Sequence, residues 1–248
     1  MAKTLLVTGG SRGLGAAVCR LAARDGYDVA FSYAGRADAA KQVVADIQKA
    51  GRKAVAIQSD IADPAQVVSL FDRAAQEIGY IEAFVSNAGI IHKGAPLADI
   101  PIEDIKRIIE VDLTAHVICL REAVRRMAKS RGGKGGAIVT MSSMAAHLYG
   151  LGGFIPYAAA KGGIDVLTVG LGKEVASDGI RVTGLRPGLI DTDMQDETGM
   201  ENRIAKLAPS IPMGRGGTAD EVAEAVLWLL SDKASYVTAT LFNVSGGR

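Results

Sequence analysis

The chain has 248 residues, of which 48% are hydrophobic and 22% are charged, and its formal net charge is +1. This length suits one large α/β domain or two small ones, and the apolar content excludes a disordered chain. The near-zero net charge gives no reason to expect a nucleic acid or an anionic membrane as partner.

Short β-rich runs alternate with longer helical patterns along nearly the whole chain. The sequence predicts strands at Thr4–Thr8, Asp28–Ser32, Lys53–Gln58, Ala83–Ser86, Ala137–Met141, Arg181–Leu185 and Thr240–Val244. Helical patterns lie between them, near residues 13–24, 37–50, 65–78, 103–129, 155–177 and 219–231. This alternation predicts an α/β protein with a parallel sheet, built through right-handed crossovers. We see no linker or repeat, so residues 1–248 are expected to form a single domain.

A glycine-rich turn follows the first strand and reads Thr8-Gly-Gly-Ser-Arg-Gly-Leu-Gly15. Glycines at this place let backbone N–H groups approach a pyrophosphate at the N-terminus of a helix. The spacing is Gly-x-x-x-Gly-x-Gly, which differs from the Gly-x-Gly-x-x-Gly dinucleotide fingerprint. A tight turn without a ligand is the alternative, but the strand before it and the helix after it favour a nucleotide.

The end of the second strand bears on the choice between NAD and NADP. A carboxylate at this place would accept a hydrogen bond from a ribose 2′-hydroxyl. The chain instead reads Phe31-Ser-Tyr-Ala-Gly-Arg36, without an acidic residue before Asp38. Arg12 and Arg36 are predicted to pair with a 2′-phosphate, unless both are solvated surface arginines. We therefore expect NADP, with NAD as the alternative.

The turns after the third and fourth strands also carry candidate cofactor contacts. Asp60 could accept a hydrogen bond from an adenine amino group, while the nearby Asp63, before Pro64, could simply cap a helix. The small residues of Asn87-Ala-Gly89 would let the chain pass close to a cofactor, unless they form an ordinary turn.

Tyr157 and Lys161 are four residues apart and therefore share one helix face. A nearby ammonium lowers the pKa of a tyrosine, which is otherwise near 10, so Tyr157 could pass a proton to a carbonyl oxygen. Ser143, at the end of an apolar run, could hold that oxygen by a hydrogen bond. An isolated Tyr-x-x-x-Lys pair is usually structural, and it becomes informative here together with the glycine turn and the serine.

These motifs resemble those of the short-chain dehydrogenase/reductase family over nearly the whole chain, most closely its 3-oxoacyl-carrier-protein-reductase-like and glucose-1-dehydrogenase-like branch. The matching pieces are Thr8–Gly15, Asn87–Gly89, Ser142-Ser143, Tyr157–Lys161, Arg186–Gly188 with Thr192, and Asn243–Gly247. The resemblance implies a Rossmann fold with a seven-stranded parallel sheet in the order 3-2-1-4-5-6-7 and helices on both faces. It also implies a homotetramer or a homodimer.

The resemblance also implies a set of residues that contact the dinucleotide. Pro187, Gly188, Ile190 and Thr192 would fix the carboxamide, and Lys161 would bind the nicotinamide ribose. The remaining members of the expected cofactor site are Gly9, Ser11, Arg12, Gly13, Leu14, Gly15, Tyr33, Arg36, Asp60, Ile61, Asn87, Ala88, Gly89 and Tyr157.

The chain departs from the family pattern at three places. Asp112 stands where the family usually has an asparagine that holds a water beside the lysine, and its charge would partly offset Lys161 and make Tyr157 less acidic. Ser86 replaces the first asparagine of the common Asn-Asn-Ala-Gly. The gap between Ser143 and Tyr157 is one residue longer than expected, so the intervening loop is expected to bulge.

Residues 189–217 form the least regular part of the chain, and they are either a surface connection or a flexible lid over the site. The residues expected to form the substrate wall are mostly apolar or aromatic: His92, Met144, His147, Leu148, Tyr149, Phe154, Met194 and Met200. His147 could orient the substrate or be a solvated loop residue, and His116 is assigned to packing.

Together these features predict an NADP-dependent oxidoreductase that interconverts a small carbonyl compound and an alcohol, with Tyr157 as general acid/base and with Ser143, Lys161 and Asp112 in the catalytic site. A non-catalytic NADP(H) sensor on the same fold is the alternative. Three scattered histidines without ligand spacing give no support for a metal. The N-terminal apolar run is too short for a secretion signal, no run is long enough to span a membrane, and the two cysteines are expected to be reduced, so we expect a cytoplasmic protein.

Overall fold

The computed structural model describes residues 3–248, whose strands are nearly all in one parallel sheet. In chain order the strands are β1 (Lys3–Val7), β2 (Tyr27–Tyr33), β3 (Ala54–Gln58), β4 (Ala83–Ser86), β5 (Gly136–Met141), β6 (Ile180–Pro187), β7 (Ile190–Asp191), β8 (Gly217–Thr218) and β9 (Thr240–Val244). The main sheet has the order β3-β2-β1-β4-β5-β6-β9. Because β9 is its seventh strand, the predicted order 3-2-1-4-5-6-7 is confirmed.

Helices cover both faces of this sheet, as predicted for a Rossmann fold. They are α1 (Gly13–Arg24), α2 (Ala37–Lys49), α3 (Pro64–Ile78), α4 (Ile102–Ile109), α5 (Ala115–Met127), α6 (Met144–His147), α7 (Ile155–Glu174), α8 (Met194–Glu197), α9 (Arg203–Leu207) and α10 (Ala219–Leu230). One apolar core joins α1, α2 and α10 to the sheet, and a second core joins α3 and α5 to its other face. The turns that follow parallel strands therefore meet at one edge, where open α/β sheets bind their ligands.

The helix predicted over residues 103–129 is interrupted at its middle. Helices α4 and α5 are separated by a wider π-helical turn, Glu110–Thr114, that places Asp112 in the interior. Such turns insert a residue into a helix and occur frequently at functional sites. The apolar pattern continues on both sides of the turn, so hydrophobic periodicity did not predict it, whereas the resemblance to the family implied a distorted backbone at the position of Asp112. The helix predicted over residues 155–177 ends earlier, at Glu174, and a short 3₁₀ turn follows.

The loop between Ser143 and Tyr157, which was expected to bulge, contains the short helix α6. After this helix Tyr149 adopts a left-handed conformation with φ 56°, and positive φ angles follow at Gly150, Gly152 and Gly153. The chain thus reverses within a few residues before α7 begins.

The irregular segment 189–217 is tied together at its base. Strands β7 and β8 pair in parallel, with Ile190 opposite Gly217, and the Gly217 N–H donates to the Leu189 carbonyl at 2.9 Å. Helices α8 and α9 lie between these strands, and we refer to residues 189–217 as the lid segment. Its flexibility stays a prediction.

Two sequence-based expectations concern the membrane and the cysteines. None of the helices in the described part of the chain has the length and apolar character that a membrane crossing needs. Cys19 and Cys119 are both buried, unbridged thiols, and burial raises the pKa of each thiol.

Candidate active site

A cleft of about 450 Å³ lies where the strand-following turns of the main sheet meet the lid segment. Every residue that the sequence assigned to the cofactor lines this cleft, and so does Ser143. Asp112 does not line it, because its side chain is fully buried behind the cleft. The structure therefore brings the predicted site residues together, while their individual roles stay predictions.

The glycine-rich turn is held against the turn after β4. Asn87 Nδ2 donates to the carbonyl oxygens of Thr8 at 2.9 Å and Gly9 at 3.2 Å, and Thr8 Oγ1 accepts from the Asn87 N–H at 2.9 Å. Gly9 has φ 69°, a left-handed conformation that favours glycine. A Cβ on Gly15 would overlap the Gly9 carbonyl oxygen. The cradle thus presents bare backbone at the start of α1, which fits the pyrophosphate of a dinucleotide.

The arginines predicted to recognise a 2′-phosphate differ in their surroundings. Arg12 Nη1 lies 2.6 Å from Glu197 Oε1, so a carboxylate of α8 holds this guanidinium across the cleft. Arg36 lines the same cleft and forms no ion pair with any carboxylate of residues 3–248. A 2′-phosphate would find Arg36 available, whereas it would compete with Glu197 for Arg12.

The two aspartates after β3 have distinct partners. Asp63 is the N-cap of α3 and accepts from the N–H groups of Ala65 and Gln66, so its assignment as a helix cap is confirmed. Asp60 lines the cleft and lies 3.2 Å from Arg107 of α4. This contact joins positions 47 residues apart, and it was not visible in the sequence.

Tyr157 and Lys161 occupy successive turns of α7, and both are buried. Lys161 Nζ lies 5.6 Å from the centre of the Tyr157 ring and donates to the Met141 carbonyl at 3.3 Å. Ser142 Oγ donates to the Lys161 carbonyl at 3.1 Å. Ser143 caps α6, where its Oγ accepts from the Ala145 N–H at 3.1 Å. The end of β5 therefore fixes both the lysine and the serine relative to the phenol.

Asp112 lies directly behind Lys161. Its Oδ1 accepts from the Ile90 N–H at 2.9 Å, and its Oδ2 lies 3.3 Å from Lys161 Nζ, within ion-pair distance. A Cβ on Gly89 would come within 3.1 Å of Asp112 Oδ2, which explains the small residue at that position. The chain thus places a carboxylate against the lysine, as its sequence suggested.

The charges around Tyr157 act in opposite directions on its pKa. Burial raises the pKa of the phenol, the Lys161 ammonium lowers it, and the Asp112 carboxylate raises it again. Lys161 and Asp112 therefore act in the predicted directions, but burial, which the sequence did not reveal, leaves the pKa of Tyr157 above its ordinary value. Burial lowers the pKa of Lys161, but Asp112 raises it to above its ordinary value, so the side chain carries its positive charge at neutral pH.

A buried histidine supports the turn after β4. His116 Nδ1 and Ser86 Oγ are 2.7 Å apart, and His116 Nε2 lies 2.7 Å from the Ala88 carbonyl oxygen. Burial lowers the pKa of His116 to about 3, so the ring is neutral. Its Nε2–H must then donate to Ala88 while Nδ1 accepts from Ser86. This confirms the assignment of His116 to packing and gives Ser86 a structural partner.

The structure places four of the residues expected to contact the substrate on the cleft, and their contact with a substrate stays a prediction. Met144, Leu148, Phe154 and Met194 line the cleft. The expectation is wrong for His147, Tyr149 and Met200, which are exposed and lie outside the cleft. The first two belong to the loop before α7, and Met200 belongs to the lid segment. His92 is buried beside the Phe154 ring, at 5.6 Å between ring centres.

Arg203, Gln195 and Arg248 also line the cleft, although no pattern in the sequence pointed to them.

Comparison with known proteins agrees with this architecture. A family model described as Enoyl-(Acyl carrier protein) reductase matches residues 9–248. The chain is 47% identical over 243 residues to the uncharacterized oxidoreductase YgfF of Escherichia coli (strain K12), covering 98% of each chain. It is 36% identical to cis-4-hydroxycyclohexanecarboxylate dehydrogenase of Sinomonas cyclohexanicum, over 99% of this chain and 96% of that relative.

Among solved structures, a short chain dehydrogenase from Burkholderia cenocepacia J2315 in complex with NADP is 35% identical and superposes with a TM-score of 0.91. That match covers 99% of this chain and 97% of the other. The fold, the family model and the full-length relatives agree, and the chain belongs to the short-chain dehydrogenase/reductase family of oxidoreductases.

Proposed function

We propose that this chain is an NADP-dependent oxidoreductase that interconverts a ketone or aldehyde with the corresponding alcohol. The observation that carries the proposal is the placement of Tyr157, Lys161 and Ser143 on the same cleft as the glycine cradle. The solved relative in complex with NADP supports the choice of cofactor. The relative named for cis-4-hydroxycyclohexanecarboxylate acts on a secondary alcohol by its name, which supports the reaction class.

When it is bound, the nicotinamide supplies or accepts the hydride. In the direction of reduction, the Tyr157 hydroxyl donates its proton to the substrate oxygen, and Ser143 Oγ holds that oxygen by a hydrogen bond. Lys161 stabilises the phenolate that remains, because its ammonium lowers the pKa of Tyr157. The Met141 carbonyl and Asp112 hold that ammonium in place. In oxidation the same groups act in reverse, and the phenolate takes the proton of the alcohol.

A second candidate is a sensor that binds NADP(H) without turnover. The observation that favours it is the buried Asp112, whose carboxylate offsets Lys161 and raises the pKa of Tyr157. A sensor would bind NADPH tightly, reduce no member of a broad ketone and aldehyde panel, and gain nothing from Asp112→Asn. Turnover of any panel member by the unmodified chain would exclude it.

The test is a paired cofactor titration followed by a carbonyl and sugar screen. NADPH and NADH affinities are measured by quenching of protein fluorescence, and turnover is followed by loss of the reduced nicotinamide absorbance. We expect NADPH to bind more tightly and at least one ketone to be reduced. Tighter binding of NADH than of NADPH would contradict the role given to Arg12 and Arg36. A lack of turnover with every compound screened would contradict the proposed oxidoreductase activity.

We also propose that the chain assembles as a tetramer or a dimer in the cytoplasm. Val166 on α7 and Val117 on α5 are 74% and 41% exposed, and a Cβ added to Gly162 would meet no atom within 4 Å. Apolar side chains beside open glycines suit close helix packing between copies. Light scattering after size exclusion gives the assembly mass, and a monomer at micromolar concentration would contradict this assignment.

A further inference from the structure

Arg203 is a half-buried cation at the catalytic cleft that the proposed reaction does not use. It begins α9 in the lid segment and lines the cleft together with Tyr157. Its guanidinium carbon lies 5.0 Å from the centre of the Phe154 ring, three residues before the phenol. Stacking of this kind fixes a planar guanidinium over an aromatic face.

A neutral amide holds one end of the guanidinium. Arg203 Nη1 donates to Gln195 Oε1 at 2.7 Å, and Gln195 Nε2 donates to the Ile190 carbonyl at 2.9 Å. The arginine is thereby connected to β7 at the base of the lid segment. This chain of contacts positions the side chain, but it leaves the positive charge without a negative partner.

The other edge of the guanidinium is unused. Within residues 3–248 no carboxylate forms an ion pair with Arg203, and its Nε is buried without a hydrogen-bond acceptor. Nη2 forms no hydrogen bond within the described residues, and a guanidinium donor of this kind binds a carboxylate through a charge-assisted hydrogen bond.

The charges around Arg203 are predominantly positive. Arg248 lines the same cleft, and burial together with Arg248 lowers the pKa of Arg203. The carboxylates of Glu197 and Asp60 on this cleft are already paired with other arginines. Asp193 also lines the cleft, but it forms no ion pair with either Arg203 or Arg248 in the described part of the chain.

We propose that Arg203, supported by Arg248, binds the carboxylate of the substrate, so that the enzyme acts on oxo acids and hydroxy acids. The reaction itself rests on the function proposed above. Bound NADPH would supply a hydride to the carbonyl carbon, Tyr157 would give its proton to the carbonyl oxygen, and a proton from water would restore Tyr157, so that the products are NADP⁺ and a hydroxy acid. Binding of the carboxylate depends on Arg203 and not on hydride transfer, so it can be measured without turnover.

The experiment compares oxo acids with their methyl esters at saturating NADPH. The probe pairs are 4-oxopentanoate with methyl 4-oxopentanoate and 4-oxocyclohexanecarboxylate with its methyl ester. We expect the unmodified enzyme to prefer each acid, and Arg203→Gln to lower kcat/KM for the acid by about 10- to 100-fold, as for loss of a charge-assisted hydrogen bond. Its kcat/KM for the ester and its Kd for NADPH stay within twofold of the unmodified values.

Two further variants separate charge from geometry. Arg203→Lys keeps the charge but loses the fork, so its acid preference is expected to lie between those of the unmodified enzyme and Arg203→Gln. Lys206→Gln removes one exposed charge from the same helix and is the matched control, with no change in the ratio of acid to ester.

Failure of this proposal is distinguishable from failure of the proposed function. Equal use of acid and ester, or an equal loss of both in Arg203→Gln, overturns the carboxylate site while leaving the oxidoreductase intact. If Arg203→Gln weakens NADPH binding while the ratio of kcat/KM for acid and ester is unchanged, the arginine contacts the cofactor. That result also overturns the carboxylate site.

If none of the four probes is reduced, 4-oxopentanoate is titrated against the NADPH complex by fluorescence, and the oxidoreductase is judged by the broad carbonyl screen described above. Binding that depends on Arg203 then supports the carboxylate site, and binding that does not depend on it, or no binding, overturns it.

Discussion

Replacing Asp112 by asparagine tests how the buried charges set the acidity of Tyr157. Oδ2 lies 3.3 Å from Lys161 Nζ, which lies 5.6 Å from the phenol ring centre, so the carboxylate is at most about 9 Å from that ring. At an effective dielectric constant of about 20, two charges at this distance interact by about 2 kcal/mol. Asp112 raises the pKa of Tyr157, so we expect Asp112→Asn to lower that pKa.

The assay is the pH dependence of kcat/KM in both directions between pH 6 and 11. Reduction requires the protonated phenol and declines as pH rises through its pKa, whereas oxidation requires the phenolate and rises through the same pKa. Both limbs therefore move to lower pH in Asp112→Asn, and alcohol oxidation at pH 7 becomes at least several-fold faster. The asparagine oxygen can still accept from the Ile90 N–H, which retains that local contact.

Glu110→Gln is the matched control, because Glu110 belongs to the same π-helical turn but its side chain is half exposed and pairs with Arg107. Solvent screens its charge, so its profile is expected to coincide with that of the unmodified enzyme. If the pH profiles of kcat/KM for Asp112→Asn do not move, or move to higher pH, Asp112 does not raise the pKa of Tyr157 and the electrostatic argument is refuted.

Three further variants probe the cradle and its supports. Glu197→Gln releases Arg12 from its ion pair and is expected to tighten NADPH binding several-fold without changing the Kd of NADH. Weaker NADPH binding would show that the Arg12–Glu197 ion pair instead stabilises the complex with the cofactor. Gly15→Ala forces a Cβ against the Gly9 carbonyl and is expected to lower the free energy of unfolding in urea by about 1–3 kcal/mol. In the control Gly35→Ala the added Cβ meets no atom within 4 Å, and the free energy of unfolding should change by less than about 0.5 kcal/mol. Equal losses of stability in the two variants would contradict the steric argument. The pKa of His116 is about 3 in the folded chain, against 6.5 as its ordinary value, so the unfolded chain binds the proton more tightly and stability falls by up to about 1.4 kcal/mol per pH unit below about pH 6.5. We expect this loss of stability between pH 7 and pH 5, measured by urea unfolding, to vanish in His116→Gln and to persist in the control His147→Gln. An unchanged pH dependence of stability in His116→Gln would contradict the lowered pKa of His116.

The order of the main sheet was predictable because its strands are short apolar runs separated by helical patterns. The predicted first strand, Thr4–Thr8, differs from the observed Lys3–Val7 by one residue at each end. Strands β7 and β8 were not predictable, since each has two residues and neither has an apolar alternation. Hydrophobic periodicity did not predict the π-helical turn, because its apolar residues continue the pattern of the helices on both sides.

The candidate site was predictable where the motif is local in sequence. Tyr157 and Lys161 are one helical turn apart, and the glycine cradle is a single turn, so spacing alone brings these groups together. The contacts of Arg12 with Glu197, 185 residues away, and of Arg203 with Phe154 depend on how the lid segment folds back over the sheet. The net pKa of Tyr157 also required burial, which spacing does not report.

The most direct test of the account is removal of the Tyr157 hydroxyl by Tyr157→Phe. This change keeps the ring and deletes only the group that passes the proton. Hydride transfer from NADPH to a reducible ketone, followed in a single turnover, is expected to fall by about 10²- to 10⁴-fold. The Kd of NADPH should stay within twofold of the unmodified value, and Tyr149→Phe, at an exposed tyrosine of the preceding loop, should retain full activity. A Tyr157→Phe enzyme that transfers hydride at the unmodified rate would contradict the assignment of the phenol as the proton donor.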